Sequence, residues 1–267
     1  MDKTFGFIGT GNMGGALAKA AAKTLGSAVV LSNKTQAKAE ALAETLGCQS
    51  AEVLQVAQQC DYIFLGVKPQ IMPSLLAQLQ DILAHRTAGF VLVSMAAGLT
   101  IEKIRAMAGG DYPVIRIMPN TPVAVGEGVI LYDCSENVTE KMLADFCSGM
   151  QHSGSLVPLP EKLMDAGSAV SGCGPAFVCM FLEAMADGGV ACGLPRQQAL
   201  DLAAQTLLGT AKLVQQTGQH PGALKDAVCS PGGSTIAGVA ALEQGGFRAT
   251  VMDAVRDAFH RTQELGK

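Results

Sequence analysis

Short apolar runs alternate with polar, alanine-rich stretches along the first half of the chain. The runs cover residues 4–8, 28–32, 62–67, 90–95, 114–118 and 128–132, and they are rich in β-branched and aromatic residues. Between them, residues 13–25, 35–46, 71–83 and 101–108 place apolar positions three and four apart, the spacing of one helix face. Strand–helix–strand alternation predicts a parallel, doubly wound sheet. The pattern changes at Leu156-Val157-Pro158-Leu159-Pro160. Beyond it lie three long helical candidates and no convincing strand: 162–190, 195–217, and 235–265 broken at Gly245-Gly246. In the middle one, Leu200, Ala203, Leu207, Ala211 and Val214 form an apolar stripe, with Pro195 at its first turn and Gly218 just past its end. The expectation is a doubly wound α/β domain over 1–160 and an all-helical domain over 161–267. No internal repeat or low-complexity tail interrupts either.

Composition narrows the class. The 267 residues include no Trp, three Tyr and only 16% charged residues, which suits close-packed helices and a large buried subunit contact. A net charge of −4 argues against nucleic-acid or acidic-membrane partners, which call for basic excess. The start Met1-Asp2-Lys3-Thr4 leads into glycine-broken sequence, so no secretory signal is expected. The apolar run around 90–99, taken as the longest, is too short to span a bilayer. Eight cysteines, at 48, 60, 134, 147, 173, 179, 192 and 229, form no C-x-x-C pair. A reduced, cytoplasmic, metal-free protein is the expectation.

The chemistry begins at Ile8-Gly9-Thr10-Gly11-Asn12-Met13-Gly14, a G-x-G-x-x-G turn between a strand-like and a helix-like stretch. In a dinucleotide site Gly9 makes the tight turn, Gly11 lets backbone approach a pyrophosphate, and Gly14 permits helix–strand packing. The pyrophosphate then rests on the helix N-terminus, near Asn12 and Met13. The second strand ends in Ser32-Asn33-Lys34-Thr35, where an NAD enzyme usually carries an acid. Neutral and basic donors suit a 2′-phosphate, so NADPH is expected, with NADH as the alternative; Lys34 also has the ordinary reading of a solvated surface lysine. Val67, Lys68 and Pro69 flank the expected cofactor path, Ala97 and Gly98 allow close approach of the ring, and Asn120 is a candidate to hold carboxamide or substrate. Ordinary strand-end turns are the competing account of these loops.

A second glycine-rich turn, Ser230-Pro231-Gly232-Gly233-Ser234-Thr235, leads into another helix. Ser234 or Thr235 suits an N-cap, and capping alone would explain a hydroxyl there. Gly232 and Gly233 are not needed for capping and would expose backbone N–H groups to a small carboxylate. The helical half carries no Lys-x-x-x-Asn pair to polarise an alcohol, and none of His85, His152, His220 and His260 lies in a glycine-rich loop. His220, before Pro221 in a loop, is the one of these that comes near consideration. A protonated cyclic imine already bears the positive charge a hydride seeks, so orientation and a few hydrogen bonds suffice. An NADP-linked reductase of a small carboxylate-bearing imine is the reading.

These residues resemble the Δ1-pyrroline-5-carboxylate reductase family over essentially the full length. The resemblance is carried by Phe7 through Gly14, Gly66-Val67-Lys68-Pro69, Ala96-Ala97-Gly98, Met118-Pro119-Asn120-Thr121-Pro122 and Ser171-Gly172-Cys173-Gly174-Pro175-Ala176. Ala186-Asp187-Gly188-Gly189-Val190, Gly193-Leu194-Pro195-Arg196, His220-Pro221-Gly222, Leu224-Lys225-Asp226, Ser230 through Thr235 and Gly245-Gly246-Phe247-Arg248 add to it. It implies a Rossmann domain and a helical domain that interleaves with a second subunit. The assembly is then a homodimer through the C-terminal helices, or a ring of such dimers. It implies that the substrate carboxylate meets the Thr235 hydroxyl and the backbone of Gly233 and Ser234, with Val228 as a packing wall. Lys34 stands where the family often has Arg, which weakens a bidentate phosphate grip, and Cys173 replaces a more usual Ser. A β-hydroxyacid dehydrogenase of the same plan and a non-catalytic NADP-binding sensor are the rival readings.

Overall fold

A computed structural model describes residues 3–265, so the Met1-Asp2 start and the two last residues lie outside the described part. Eight strands form one sheet: β1 (Phe5–Ile8), β2 (Val29–Ser32), β3 (Gln49–Ser50), β4 (Tyr62–Leu65), β5 (Val91–Ser94), β6 (Val114–Pro119), β7 (Gly128–Cys134) and β8 (Gly154–Pro158). Their order is β3-β2-β1-β4-β5-β6-β7-β8, and every pairing is parallel except β6 with β7. Parallel neighbours need helical crossovers, which α1 (Asn12–Leu25), α2 (Gln36–Leu46), α3 (Val53–Gln59), α4 (Met72–His85) and α5 (Ile101–Ala108) supply. Then follow α6 (Glu140–Gly149) and α7 (Met164–Ser171).

Burial explains the winding. Leu17 of α1, Ala39 of α2 and Phe146 of α6 share one core with Phe5, Phe7, Phe64 and Ile117. Val56 of α3, Leu76 of α4 and Ile104 of α5 share the other with Ile8, Ile63, Leu65 and Leu92. Central strands covered on both faces read as continuous apolar runs, which is why they were visible in the sequence. β1 lies between β2 and β4, so the winding reverses there, and the crevice beyond its carboxyl end is where such sheets take ligands.

The helical part contains α8 (Gly174–Ala191), α9 (Arg196–Thr217), α10 (Pro221–Ala227), α11 (Ser234–Gln244) and α12 (Phe247–Leu265). Packing divides the chain into one compact unit of 1–173 with 258–267 and another of 174–257. That division falls thirteen residues beyond the expected boundary at 160/161, because α7 buries Met164 completely against Met118 of β6 and Leu131 of β7. The stretch 162–190, expected as one helix, is α7 and α8 interrupted at Gly172-Cys173. By length and composition Glu161–Ala191 is apolar enough to cross a membrane, so the run at 90–99 is not the longest of that kind. Within the second unit α8 and α9 approach closely at Gly189, where a Cβ would lie 3.2 Å from that of Ala199. Yet Val178, Met180, Leu202, Leu213, Val251 and Met252 stay exposed. An apolar cleft of about 570 Å³, lined by Phe181, Met185, Leu242 and Phe247 among others, adds to that open apolar surface.

Candidate active site

The first glycine turn sits where the sheet opens. The Gly9 amide donates to Ser32 O and the Gly66 amide to Ile8 O, each at 2.8 Å, pinning the end of β1 between β2 and β4. Gly9 has φ +99°, a conformation open to glycine and strained for other residues. A Cβ on Gly66 would come 2.5 Å from Gly9 O, and one on Gly14 would strike the same carbonyl. The fold itself therefore demands Gly9, Gly14 and Gly66.

Gly11 differs. Its φ is −69°, and a Cβ there meets nothing within 4 Å. Nothing in the protein asks for glycine at this position, so a ligand's close approach is left as the reason for it. Gly11 is the N-cap of α1, with no side chain capping the helix and no acid in its first turn. The amides of Asn12, Met13 and Gly14 thus have no helical acceptor, and Thr10 Oγ1 is buried without a partner. Met13 packs its side chain on the core, so its part in such a site is its amide. These features fit the pyrophosphate of a dinucleotide.

A cleft of about 420 Å³ adjoins the turn, lined by Ile8, Gly9, Ser32, Asn33, Lys34 and Val67 among others. Ser32 is buried, Asn33 half-buried and Lys34 exposed. Thr35 begins α2 without a capping side chain, no acid occupies that helix's first turn, and Gln36 Oε1 is buried without a partner. The acid on this cleft, Glu52, is turned toward the start of α3, whose N3 amide its side chain accepts. The cleft can therefore take a 2′-phosphate without opposing it with a free carboxylate. Lys68, exposed, opens the short turn at Pro69–Ile71, whose proline fixes the backbone.

After β5, Ala97 is exposed and Gly98 takes φ +75° before Thr100 caps α5 through the Lys103 amide at 3.2 Å. After β6, Asn120 is buried. Its Oδ1 accepts the Val129 amide at 2.8 Å and its Nδ2 donates to Ser171 O at 2.9 Å. Both ends of the amide are thus engaged with β7 and α7, and Asn120 fixes its loop rather than presenting a free carboxamide. Sequence reasoning missed Arg116 and Glu161. Arg116 is buried in β6, and its Nη1 lies 3.0 Å from Glu161 Oε1. A charge amid Val114-Ile115-Arg116-Ile117-Met118 was the available signal, since a buried cation requires a partner.

In the helical unit, the Gly233 amide donates to Ser230 O at 3.0 Å, with Pro231 and Gly232 between them and Gly232 at φ +68°. That is a type II turn, which favours Pro and then Gly at its central positions. A Cβ on Gly233 would come 2.5 Å from Ser230 Oγ. Both glycines therefore have a structural cause, where the sequence had suggested only exposure of N–H groups.

The expected N-cap is also corrected. Gly233 caps α11, with extended backbone and its carbonyl accepting the Ala237 amide at 3.3 Å. Ser234 and Thr235 are the first two helical residues and neither hydroxyl caps the helix. The amides of Ser234, Thr235 and Ile236 lack helical acceptors, and the first turn holds no acid. Thr235 and, earlier in the same loop-helix segment, Val228 are exposed. All eight thiols are free, and among the described residues no group of three His, Cys, Asp or Glu could hold a metal.

The glycine turn at the reversal point of a mostly parallel sheet, joined to a helical second half, defines a dinucleotide-dependent oxidoreductase of two parts. Residues 4–98 match the family described as "NADP oxidoreductase coenzyme F420-dependent", and residues 161–265 match "Pyrroline-5-carboxylate reductase dimerisation". The chain is 41% identical over 271 residues to the pyrroline-5-carboxylate reductase of Escherichia coli K12, covering all of both. It is similar to the NADP-bound structure of the Plasmodium falciparum enzyme, with TM-score 0.86, 33% identity and coverage of 100% and 99%. The Coxiella burnetii structure matches with TM-score 0.91 and 29% identity over the whole of both chains. The chain belongs to the pyrroline-5-carboxylate reductase family.

Proposed function

We infer that the protein reduces 1-pyrroline-5-carboxylate to L-proline with NADPH. Membership of the family along the whole chain supports the reaction, and one local observation carries the assignment of residues. It is the start of α11, where three amides and the Thr235 hydroxyl are left without capping work. A carboxylate bound there gains hydrogen bonds and the favourable end of the helix dipole. Thr235 can also reach an imine nitrogen and hold its proton in place. Gly232 and Ser230 fix the turn, Val228 supplies an apolar wall, and Gly233 and Ser234 offer backbone.

Bound reduced nicotinamide would supply the hydride that the C=N carbon accepts. The residues that would hold that cofactor are Ile8, Gly9, Gly11, Asn12, Met13 and Gly14 at the pyrophosphate and Ser32, Asn33 and Lys34 at the 2′-phosphate. Val67, Lys68, Pro69, Ala97 and Gly98 line the rest of its path. Asn120 is a positioning residue for that loop. No strong acid is required, because the protonated imine is already electrophilic.

The match to a dimerisation family and the exposed apolar faces of α8 and α12 support a homodimer through the C-terminal helices. They favour protein over lipid as the cover for the apolar stretch at 161–191, and a ring of dimers is the larger alternative. Free thiols and a net charge of −4 support a cytoplasmic location without nucleic-acid partners. The test is absorbance at 340 nm with purified protein, NADPH and racemic pyrroline-5-carboxylate, repeated with NADH. Fast oxidation with NADPH supports the reading; a protein that binds NADPH and turns nothing over overturns it.

A further inference from the structure

Among the described residues lining the cleft beside the first glycine turn, Lys34 and Glu52 carry the formal charges, one of each sign. Lys34 comes two residues after the end of β2, and Glu52 two residues after the end of β3. The two strands run parallel with Leu31 opposite Ser50, and the Ala51 amide donates to Leu31 O at 2.9 Å. Glu52 therefore leaves β3 level with Asn33, on the next strand over, and neighbouring strands lie about 5 Å apart. Much of the remaining wall is apolar. It includes Val53, Val67 and Leu75, with Ile71 left 51% exposed, a surface that suits the flat face of a purine. The adenosine end of a dinucleotide bound there lies close to both charges.

Glu52 is held in place. Its side chain accepts the Gln55 amide, and its own amide donates to Gln55 Oε1 at 3.1 Å, a reciprocal capping box at the start of α3. The hydrogen bond turns the carboxylate toward the helix and leaves its charge where it is. Capping accounts for an acceptor at this position but not for a charge, because serine or threonine would cap at least as well. A charge fixed on the cleft acts on whatever the cleft binds, over the roughly 8 to 10 Å that salt at ordinary strength allows.

We propose that Glu52 is a specificity-determining residue, whose fixed negative charge offsets Lys34 and holds down the preference for NADPH over NADH. This rests on the placement of the 2′-phosphate at Ser32, Asn33 and Lys34 given above. The 2′-phosphate brings about two negative charges that NADH lacks. Lys34 favours them and Glu52 disfavours them, so the two cofactors differ less in affinity than the end of β2 alone would make them. NADH has only hydroxyls on that ribose and is little affected by either charge.

The experiment measures dissociation constants for NADPH and NADH by fluorescence titration, at about 20 mM and about 500 mM salt, conditions in which a charge is felt and then screened. It compares wild type with Glu52→Gln, Glu52→Thr and Lys34→Gln. Glutamine and threonine both keep a side-chain acceptor for the Gln55 amide and remove the charge. Each should tighten NADPH roughly threefold at low salt, the size of one screened charge near a phosphate, and leave NADH unchanged. The gain should largely vanish at high salt, which the loss of a merely structural cap would not do. Lys34→Gln should weaken NADPH instead. Melting temperatures identify the folded variants, and either Glu52 variant suffices. An NADPH-to-NADH ratio that Lys34→Gln shifts and the Glu52 variants do not overturns the proposal and leaves the phosphate site standing. Equal changes with both cofactors in the Glu52 variants also overturn it, since a damaged cap would act on both. A ratio that none of the variants moves overturns the placement of the 2′-phosphate, and the proposal with it.

Discussion

Arg116 Nη1 donates to Glu161 Oε1 at 3.0 Å, and the same oxygen accepts the Ile101 amide at 2.8 Å. One carboxylate thus balances a cation on β6 and closes the start of α5, three residues after Gly98. Glu161 is itself held by its own amide, which donates to Asp133 Oδ2 at 2.5 Å. Asp165 stands 3.8 Å from Arg116 Nη2 as a weaker second partner. The arginine side chain is only 4% exposed, so losing its main partner strands a charge that water reaches poorly.

Glu161→Ala should therefore lower stability by about 3 kcal/mol, the low end for breaking a buried pair because Asp165 remains. Glu161→Gln keeps an acceptor for Ile101 and should cost less. Urea midpoints of the two variants check this, and an alanine variant as stable as wild type would remove the pair from the account.

Gly11 and Gly14 make opposite predictions although both belong to one motif. Gly14→Ala drives a methyl into the Gly9 carbonyl and should destabilise the fold and abolish cofactor binding together. Gly11→Ala meets open space, so stability should change by no more than about 1 kcal/mol, the scale of an altered N-cap. Its NADPH affinity should still fall at least tenfold, because the methyl occupies room the pyrophosphate needs. Thermal melts beside NADPH fluorescence titrations separate the two; a Gly11→Ala protein that binds normally would refute the assignment of that space.

The contrast also shows what a sequence can disclose. G-x-G-x-x-G announces the site, but only geometry says that Gly14 serves packing while Gly11 borders open space. The core strands were legible because burial on both faces leaves unbroken apolar runs. β3, two residues long, leaves no such run, and α3 and α10, seven residues each, span too few turns for their periodicity to stand out. β8 was read as the place where strands end, since Pro158 and Pro160 punctuate it; it is the outer strand of the sheet, where proline is tolerated. The hydroxyls of the 230–235 turn were identified, but their place in the helix was one residue off, and that residue decides whether they cap it.

Lys34 offers a test of cofactor choice. It is exposed beside the half-buried Asn33, at the start of an α2 that no side chain caps. Lys34→Asp places a carboxylate against the 2′-phosphate, and kcat/KM for NADPH should drop roughly thirtyfold or more, since like charges brought together cost several kcal/mol. NADH lacks that phosphate, and its kcat/KM should move little. Equal losses with both cofactors would refute the assignment of Lys34 to that phosphate.

Thr235 is the residue on which the proposed substrate binding turns. Its hydroxyl does not cap α11, so removing it should leave the melting temperature of Thr235→Ala close to that of wild type. Catalysis should not be spared. A lost hydrogen bond to a charged group is expected to take about 1 to 3 kcal/mol from kcat/KM, with KM rising and kcat falling together. Thr235→Ser restores the hydroxyl on a freer rotor and should recover most of the loss. A Thr235→Ala enzyme with unchanged kinetics would move the carboxylate away from the start of α11; a variant that unfolds would instead show that the hydroxyl supports the helix after all.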